Sequence, residues 1–168
     1  MDKITQPLRD EHKDLFPHVE SLRLAGDAVS GLVLTEEALT LVEEAHNFLT
    51  HHLIPHAEAE DKALYPVVQK VMGAPKATAT MSRDHVEVGA LTRELTELRQ
   101  QLTPTKFSAE LANALHRVLF GLYTLVKVHF AKEEEIYLPL LDASLTPDEG
   151  AAMFKAMEAA AAEVKSHL

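Results

Sequence analysis

Apolar residues recur three and four positions apart through four long stretches of the chain, with polar residues between them. This spacing predicts amphipathic α-helices that each bury one stripe of side chains, whereas no stretch shows the two-residue alternation of a strand. Clusters of Gly, Pro, Ser, Thr and Asp predict the breaks between helices. The breaks fall at residues 26–31, 73–78, 102–108 and 142–150. The pattern therefore predicts an all-α fold.

Four long helices joined by short connections pack most simply as an up-and-down antiparallel four-helix bundle. A shorter fifth helix follows them. It opens with a threonine at the N-cap, a proline in the first turn and a capping-box glutamate, which are Thr146, Pro147 and Glu149. We predict a bundle over residues 1–145 and an additional short C-terminal helix, residues 146–168, packed on it.

The apolar stripes are interrupted by polar side chains at corresponding places. Each stripe contains one histidine, and the second and fourth stripes also contain a glutamate four residues later. Residues four apart project from one face of a helix, so each His and Glu pair points toward the predicted core together. The fourth stripe then continues to Ile136. The polar residues are His12, His56, Glu60, His85, His129 and Glu133.

An internal repeat relates the two halves of the chain. Adding 73 to the residue number carries His12 to His85, His56 to His129, Glu60 to Glu133 and Pro66 to Pro139. We interpret the halves as two helical hairpins related by an approximate two-fold axis. Histidines without a histidine at this offset are interpreted as structural or surface residues. His52 is the exception, because it lies one turn before a predicted ligand and is a candidate for the surroundings of the site.

Ionised carboxylates in an apolar stripe carry a cost of several kcal/mol unless a cation or hydrogen-bond donors compensate them. A set of four imidazoles and two carboxylates suits iron, manganese or zinc, and helix bundles host di-iron carboxylate sites. A lone histidine, or a lone H-x-x-x-E pair, would be an ordinary core or surface feature. Six such residues in register instead predict a centre of two iron ions. We predict no catalytic residue beyond these ligands and no other cofactor.

Other carboxylates next to the two predicted glutamate ligands are alternative metal ligands. Asp61 or Glu134 would replace the chosen carboxylate if its helix were distorted, and Pro55, which lacks an N–H, favours such a distortion. Tyr137 lies four residues after the second glutamate, so it continues the ligand face and is a candidate to hydrogen-bond near the site or to cap the core. Tyr65 falls on a different side of its helix and is interpreted as packing.

Composition and charge exclude several classes of protein. The chain has no cysteine, which excludes disulfides, thiolate metal sites and cysteine nucleophiles. The formal charge of -10 and the lack of a basic cluster argue against a nucleic-acid partner. The sequence shows no apolar leader and no run of about 18 apolar residues, so we expect neither export nor a membrane span and predict a cytoplasmic protein.

Four segments of the sequence resemble the haemerythrin-like, or HHE cation-binding, family over residues 5–141. They are RDEH ending at His12, LIPHAEAEDKALYP around His56 and Glu60, SRDH ending at His85, and HFAKEEEIYLP around His129 and Glu133. The resemblance implies a four-helix bundle with a non-haem di-iron centre, completed by an oxo or hydroxo bridge. It also implies one iron on His12 and His56, the other on His85 and His129, and bridging by Glu60 and Glu133.

The sequence departs from the oxygen carriers of this family in two places. The carriers have a second histidine one turn after the ligand of the third helix, where this chain has Gly89. They also have an aspartate in H-x-x-x-x-D on the fourth helix, where this chain has a glutamate in H-x-x-x-E. Without a fifth histidine each iron would keep one open place, so we expect a small ligand to reach either iron.

These features predict a protein that reacts with or binds small oxidants, namely hydrogen peroxide, oxygen or nitric oxide, in oxidative or nitrosative stress. A peroxidase-like, catalase-like or nitric-oxide-reacting activity is one form of this hypothesis. The alternative is a protein that binds or senses oxygen or iron without turnover. A third hypothesis is a metal-free interaction module in which the His and Glu residues only hydrogen-bond in pairs. The sequence identifies no electron donor.

Overall fold

The computed structural model describes residues 3–31, 33–103 and 105–167. Every regular element within these ranges is helical, which confirms the all-α prediction. Two of the long helical runs contain π-helical segments as well as α-helix. In chain order the elements are α1 (Gln6–Ala28), α2 (Glu36–Phe48), π1 (Leu49–Leu53), α3 (Ile54–Ala59), π2 (Glu60–Leu64), α4 (Tyr65–Met72), α5 (Ala79–Gln100), α6 (Ala109–Lys132), π3 (Glu133–Tyr137), α7 (Leu138–Ser144) and α8 (Pro147–Lys165).

The breaks between helical runs coincide with helix caps. The side chains of Thr35 and Ser108 each accept a hydrogen bond from the backbone N–H three residues later, which satisfies a free donor at the helix start. Thr146 and Glu149 form the predicted capping box at the start of α8. Gly73 ends α4 with a φ of 63°, a left-handed conformation that glycine adopts without strain.

The long helices pack side by side around shared apolar cores. α1 lies against α6 and α2, while α5 lies against α6, α2 and α3, an arrangement consistent with the predicted up-and-down bundle. The buried apolar side chains form a larger cluster and a smaller one. The larger cluster includes Val19, Leu22, Leu49, Leu95, Leu115 and Leu122. The smaller cluster includes Leu8, Leu64, Val68, Met81, Leu138 and Leu141.

The histidines of the four stripes lie where these two clusters meet. In α1, His12 follows Leu8 of the smaller cluster and precedes Leu15 of the larger one. A histidine likewise lies between residues of the two clusters in each of the other three helical runs. Apolar layers therefore close the polar site at both of its ends.

Three π-helical segments widen the helices beside the site. Each is followed two residues later by a proline, which lacks an N–H and crowds the carbonyl four residues earlier, so the preceding turn opens into i to i+5 bonding. π2 and π3 are related by the offset of 73 and begin at Glu60 and Glu133. The wider turn shifts the phase of the residues after it. The prediction that Ile136 lies in the buried stripe is therefore wrong, since Ile136 is 58% exposed.

The last helix, α8, packs across α3 and π2. Its Met153 and Met157 join the smaller apolar cluster. Gly150 allows the N-terminal segment to approach closely, because a Cβ there would lie 2.4 Å from Cγ2 of Ile4. α8 thus rests on the helical run that carries His56 and Glu60. Within the described ranges, no helix is both long and apolar enough to cross a membrane.

Candidate metal centre

The six predicted ligands meet in one buried cluster. α1, α3, α5 and α6 each supply one histidine, and π2 and π3 each supply their first residue, a glutamate. The side chains of both glutamates are 0% exposed, and those of the histidines are between 3% and 9% exposed. The structure thus brings together His12, His56, Glu60, His85, His129 and Glu133.

Their donor atoms form two groups that share one glutamate. His12, His56, Glu60 and Glu133 form the first group, and Glu60, His85 and His129 form the second; within each group the donor atoms lie within 4.8 Å of one another. Oε1 of Glu60 lies 3.0 Å from Nε2 of His56, and its Oε2 lies 3.2 Å from Nε2 of His85. One carboxylate therefore faces a histidine pair on each side.

Glu133 spans the two histidine pairs in the same way. Its Oε2 lies 3.4 Å from Nε2 of His12, and its Oε1 lies 3.4 Å from Nε2 of His129. Each glutamate thus lies between the two histidine pairs, where its two oxygens could contact cations held by either pair. Glu60 belongs to both donor groups, whereas Glu133 belongs to the first group only.

The interior of the cluster contains polar atoms that no hydrogen bond satisfies. They are Nε2 of His12, Nε2 of His56, both carboxylate oxygens of Glu60 and Oε2 of Glu133. Buried polar atoms are normally paired, and a buried carboxylate without a donor costs several kcal/mol. Because these atoms point toward a common centre, divalent or trivalent cations fit the set and would satisfy all of them at once.

A carboxylate fixes the outward nitrogen of every histidine in the cluster. Each Nδ1 lies 2.8–3.0 Å from a carboxylate oxygen, which can only accept a hydrogen bond, so Nδ1 carries a proton and Nε2 is the nitrogen that faces the interior and can bind a metal once it is deprotonated. The pairs are His12 with Glu134, His56 with Glu11, His85 with Asp61, and His129 with Asp84. These four outer carboxylates orient the imidazoles for metal binding.

The outer carboxylates follow the same repeat as the ligands. The offset of 73 carries Glu11 to Asp84 and Asp61 to Glu134. Asp61 and Glu134, the alternatives for the bridging role, instead contact the outward nitrogens of histidines. Sequence reasoning did not assign the outer role to any of the four residues, although their recurrence at the ligand offset was a signal that could have indicated it.

Further donors hold three of the outer carboxylates in place. Arg9 pairs with Glu134, Lys132 pairs with Asp84, and the hydroxyl of Ser82 donates to Asp61 at 2.6 Å. The pKa of Asp84 is lowered although burial opposes this, because Lys132 and His129 favour the carboxylate form. These side chains therefore remain acceptors for the imidazole N–H groups.

One tyrosine contacts the cluster, and it is not the one that the sequence indicated. The buried hydroxyl of Tyr65 donates to Oε1 of Glu133 at 2.8 Å and lies 3.1 Å from Nε2 of His129. Tyr137 instead donates to the backbone oxygen of Ala77 and packs against the smaller apolar cluster, which agrees with its other predicted role of capping the core. The expectations for both tyrosines assumed α-helical periodicity, whereas the π-helical turn brings the residue five after Glu60 to the ligand face.

His52, the other candidate for the surroundings of the site, lies outside the cluster. Its side chain is exposed, and its ring lies parallel to that of His18 with the ring centroids 6.4 Å apart. His52 belongs to π1, whose wider turn lies before His56 and changes the phase between them. It therefore makes no hydrogen bond to the described ligands.

The electrostatics of the cluster favour ionised carboxylates. Burial alone would raise the pKa of Glu60, but the surrounding histidines hold it well below its ordinary value. Burial would likewise lower the pKa of His129, but the nearby carboxylates of Glu133 and Glu60, which favour the charged imidazolium, raise it to about 10. A metal ion that binds here must displace these protons, because imidazole coordinates through a free lone pair.

One family model matches most of the chain. Its description is Hemerythrin HHE cation binding domain, and the match covers residues 3–141. The chain belongs to this family. No curated protein and no solved structure matches it. The haemerythrin match confirms the predicted family and ends within α7, so α8 lies outside it.

Proposed function

We propose that this haemerythrin domain is a di-iron protein that reacts with or binds small oxidants, on an up-and-down four-helix bundle. The observation that carries this proposal is the pair of buried donor groups that share Glu60. Two cations would neutralise two carboxylates that otherwise lie together without exposure to solvent. Hydrogen peroxide, oxygen and nitric oxide are the small molecules we propose, in oxidative or nitrosative stress.

The donor set supports iron as the metal. Four imidazoles with two carboxylates form a mixed nitrogen and oxygen environment, and the chain has no cysteine to favour softer metals. Manganese and zinc accept similar ligands, but the proposed reactions require a metal that changes oxidation state. Iron, when bound, supplies Lewis acidity and electrons to the small molecule.

The protein's own side chains supply geometry and exclude water. The outer carboxylates fix the tautomer and direction of each imidazole, while the apolar clusters close the two ends of the site. Tyr65 donates a proton to the hydrogen bond with Glu133 and so positions that bridging carboxylate. None of these roles requires a further catalytic residue.

Metal analysis of the purified protein tests the core of this proposal. We expect two iron ions per chain after anaerobic loading with ferrous iron, and loss of both in Glu60→Ala. Glu58→Ala is the matched control, because Glu58 lies two residues earlier on the same helix and is exposed. A Glu60→Ala protein that retains both ions would contradict the bridging role.

Stopped-flow mixing with hydrogen peroxide tests the reaction itself. We expect the iron-loaded protein to consume peroxide faster than an equal concentration of free iron. A rate no greater than that of free iron, together with a reversible oxygen adduct that disappears under vacuum, would support non-catalytic oxygen binding instead. That result would leave the di-iron centre in place and overturn only the oxidant-reacting role.

A further inference from the structure

Three surface grooves reach a ligand histidine; one of them lies against α8 and reaches His56, and the offset of 73 relates the other two. The Gly89 groove lies between α5 and residues 50–61, with a volume of about 470 Å³, and reaches His85. The Phe16 groove lies between α1 and residues 127–134, with a volume of about 530 Å³, and reaches His12. Equivalent positions in the two grooves are His85 and His12, Gly89 and Phe16, and Ala57 and Phe130.

The two grooves are similar in size at the surface but differ at the floor. In the Phe16 groove the ring of Phe130 stacks on the ring of His12, with centroids 4.4 Å apart and an interplanar angle of 11°. Phe130 lines this groove and stacks on His12, so its ring covers part of the path from the groove to that ligand. The equivalent residue in the Gly89 groove is Ala57, which has only a methyl group.

The walls of the two grooves differ in the same way as their floors: the Gly89 groove is the more open one. Phe16 places a phenyl ring in one groove, while Gly89 has no side chain in the other. A Cβ built at Gly89 would meet only the guanidinium of Arg93, at 3.5 Å, so the space beside this residue is open. Because Gly89 lies one turn after His85 on the same helix, the open space lies beside that ligand.

The exposure of the ligands agrees with this difference. The side chain of His85 is 9% exposed, whereas that of His12 is 5% exposed. The approximate two-fold symmetry of the ligands is therefore broken at the openings that lead to them.

We propose that small ligands enter the centre through the Gly89 groove, beside His85, and not through the Phe16 groove. The ligand class is the small diatomic or triatomic molecule of the proposed function, which can pass where this groove has Gly89 and Ala57 and the Phe16 groove has two phenyl rings. This inference rests on the proposed di-iron function and narrows it. The sequence predicted that a small ligand can reach either iron, and this inference adds the side from which the ligand enters.

Azide binding to the ferric protein tests the route, since azide is a three-atom anion whose binding to ferric iron changes the visible absorption. We expect Gly89→Phe to slow azide association about tenfold or more, because the added ring must move before the ligand passes. The matched control is Phe16→Ala at the equivalent wall position, for which we expect an unchanged rate because Phe130 still covers His12. Iron content and melting temperature are measured for each variant.

Ala57→Leu provides a second obstruction from the opposite wall of the same groove. It keeps the experiment decisive if Gly89→Phe fails to fold or to bind iron. Slow azide association in either folded variant, with normal association in Phe16→Ala, supports the inference. Wild-type rates in an iron-loaded Gly89→Phe or Ala57→Leu protein overturn it, as does slow association in Phe16→Ala. A wild-type protein without iron would instead overturn the proposed function.

Discussion

The two halves of the chain, residues 6–72 and 79–144, are nearly equivalent in the groups that hold a metal and unequal in the groups around them. Ligands, outer carboxylates and the π-helical turns at the glutamates all recur at the offset of 73. Tyr65 corresponds to Leu138, and the Phe16 groove has no counterpart to the open floor at Ala57. Coordination of two ions requires two matching half-sites, whereas ligand entry and a buried hydroxyl are needed on one side only.

The largest expected effect comes from removing a group that serves both halves. We expect Glu133→Ala to abolish binding of both metal ions, because its oxygens face His12 and His129. The loss in affinity should exceed the roughly 100-fold that the loss of an outer hydrogen-bond partner costs. Metal content after gel filtration measures this, with the exposed Glu135→Ala as control. Retention of one tightly bound ion would show that the half-sites bind independently.

Substitution of the outer carboxylates should weaken metal binding less than loss of a bridging glutamate does. The loss should also differ between two carboxylates at equivalent positions. We expect Asp84→Asn to weaken metal binding about 10- to 100-fold, because His129 loses the acceptor that fixes its tautomer. We expect Glu11→Gln to weaken metal binding less, since the side chain of Glu11 is 50% exposed and that of Asp84 is 18% exposed. Competition with a chromophoric chelator measures both, with Asp10→Asn as control. Equal losses would indicate that exposure does not weaken the outer bond.

The tyrosines offer a comparison of stability between the halves. We expect Tyr65→Phe to lower the free energy of unfolding by about 1–3 kcal/mol, because Glu133 loses a buried donor. Tyr137→Phe should cost about 1 kcal/mol or less, since its half-buried hydroxyl donates to a backbone oxygen. Urea unfolding of both metal-free variants provides the measurement. A larger loss in Tyr137→Phe would reverse the assignment of the two residues.

A further comparison is the pH dependence of the metal-free protein. The pKa of His129 is about 10 in the fold and 6.5 as its ordinary value, so its ion pairs contribute fully below pH 6.5 and are lost as the pH rises toward 10. We therefore expect the urea concentration at the midpoint of unfolding to decrease as the pH rises from 6.5 to 10, in protein from which a chelator has removed the metal. The slope should flatten in His129→Gln. An equally steep slope in that variant would assign the effect to another group.

Much of the fold and of the candidate site could be predicted from the sequence. The helical runs follow from apolar spacing and from caps such as Thr146, both of which are local properties of the chain. His56 and Glu60 could be paired because they lie one turn apart on one helix. The repeat extended this pattern across the chain without any knowledge of contacts.

The predictions that failed depended on local helix geometry. Ile136 was placed in the buried stripe and Tyr65 away from the ligand face by a period of 3.6 residues, but Ile136 lies within a π-helical turn and Tyr65 directly follows one. Tyr65 is buried as predicted, and its contact with Glu133 was missed. The prolines that follow these turns, such as Pro66, could have indicated the change. A proline alone does not determine whether a helix kinks, ends or widens, because packing with neighbouring helices decides among these outcomes.

By itself the sequence determined which polar residues enter an apolar interior, because a carboxylate in a buried stripe has to be compensated wherever the helices pack. Only the tertiary structure decided which carboxylate contacts which histidine and which groove opens toward the centre. His56 bonds to Glu11 across 45 positions of sequence, and Phe130 covers a histidine of another helix. Such contacts depend on the relative placement of helices, which the spacing within each helix does not specify.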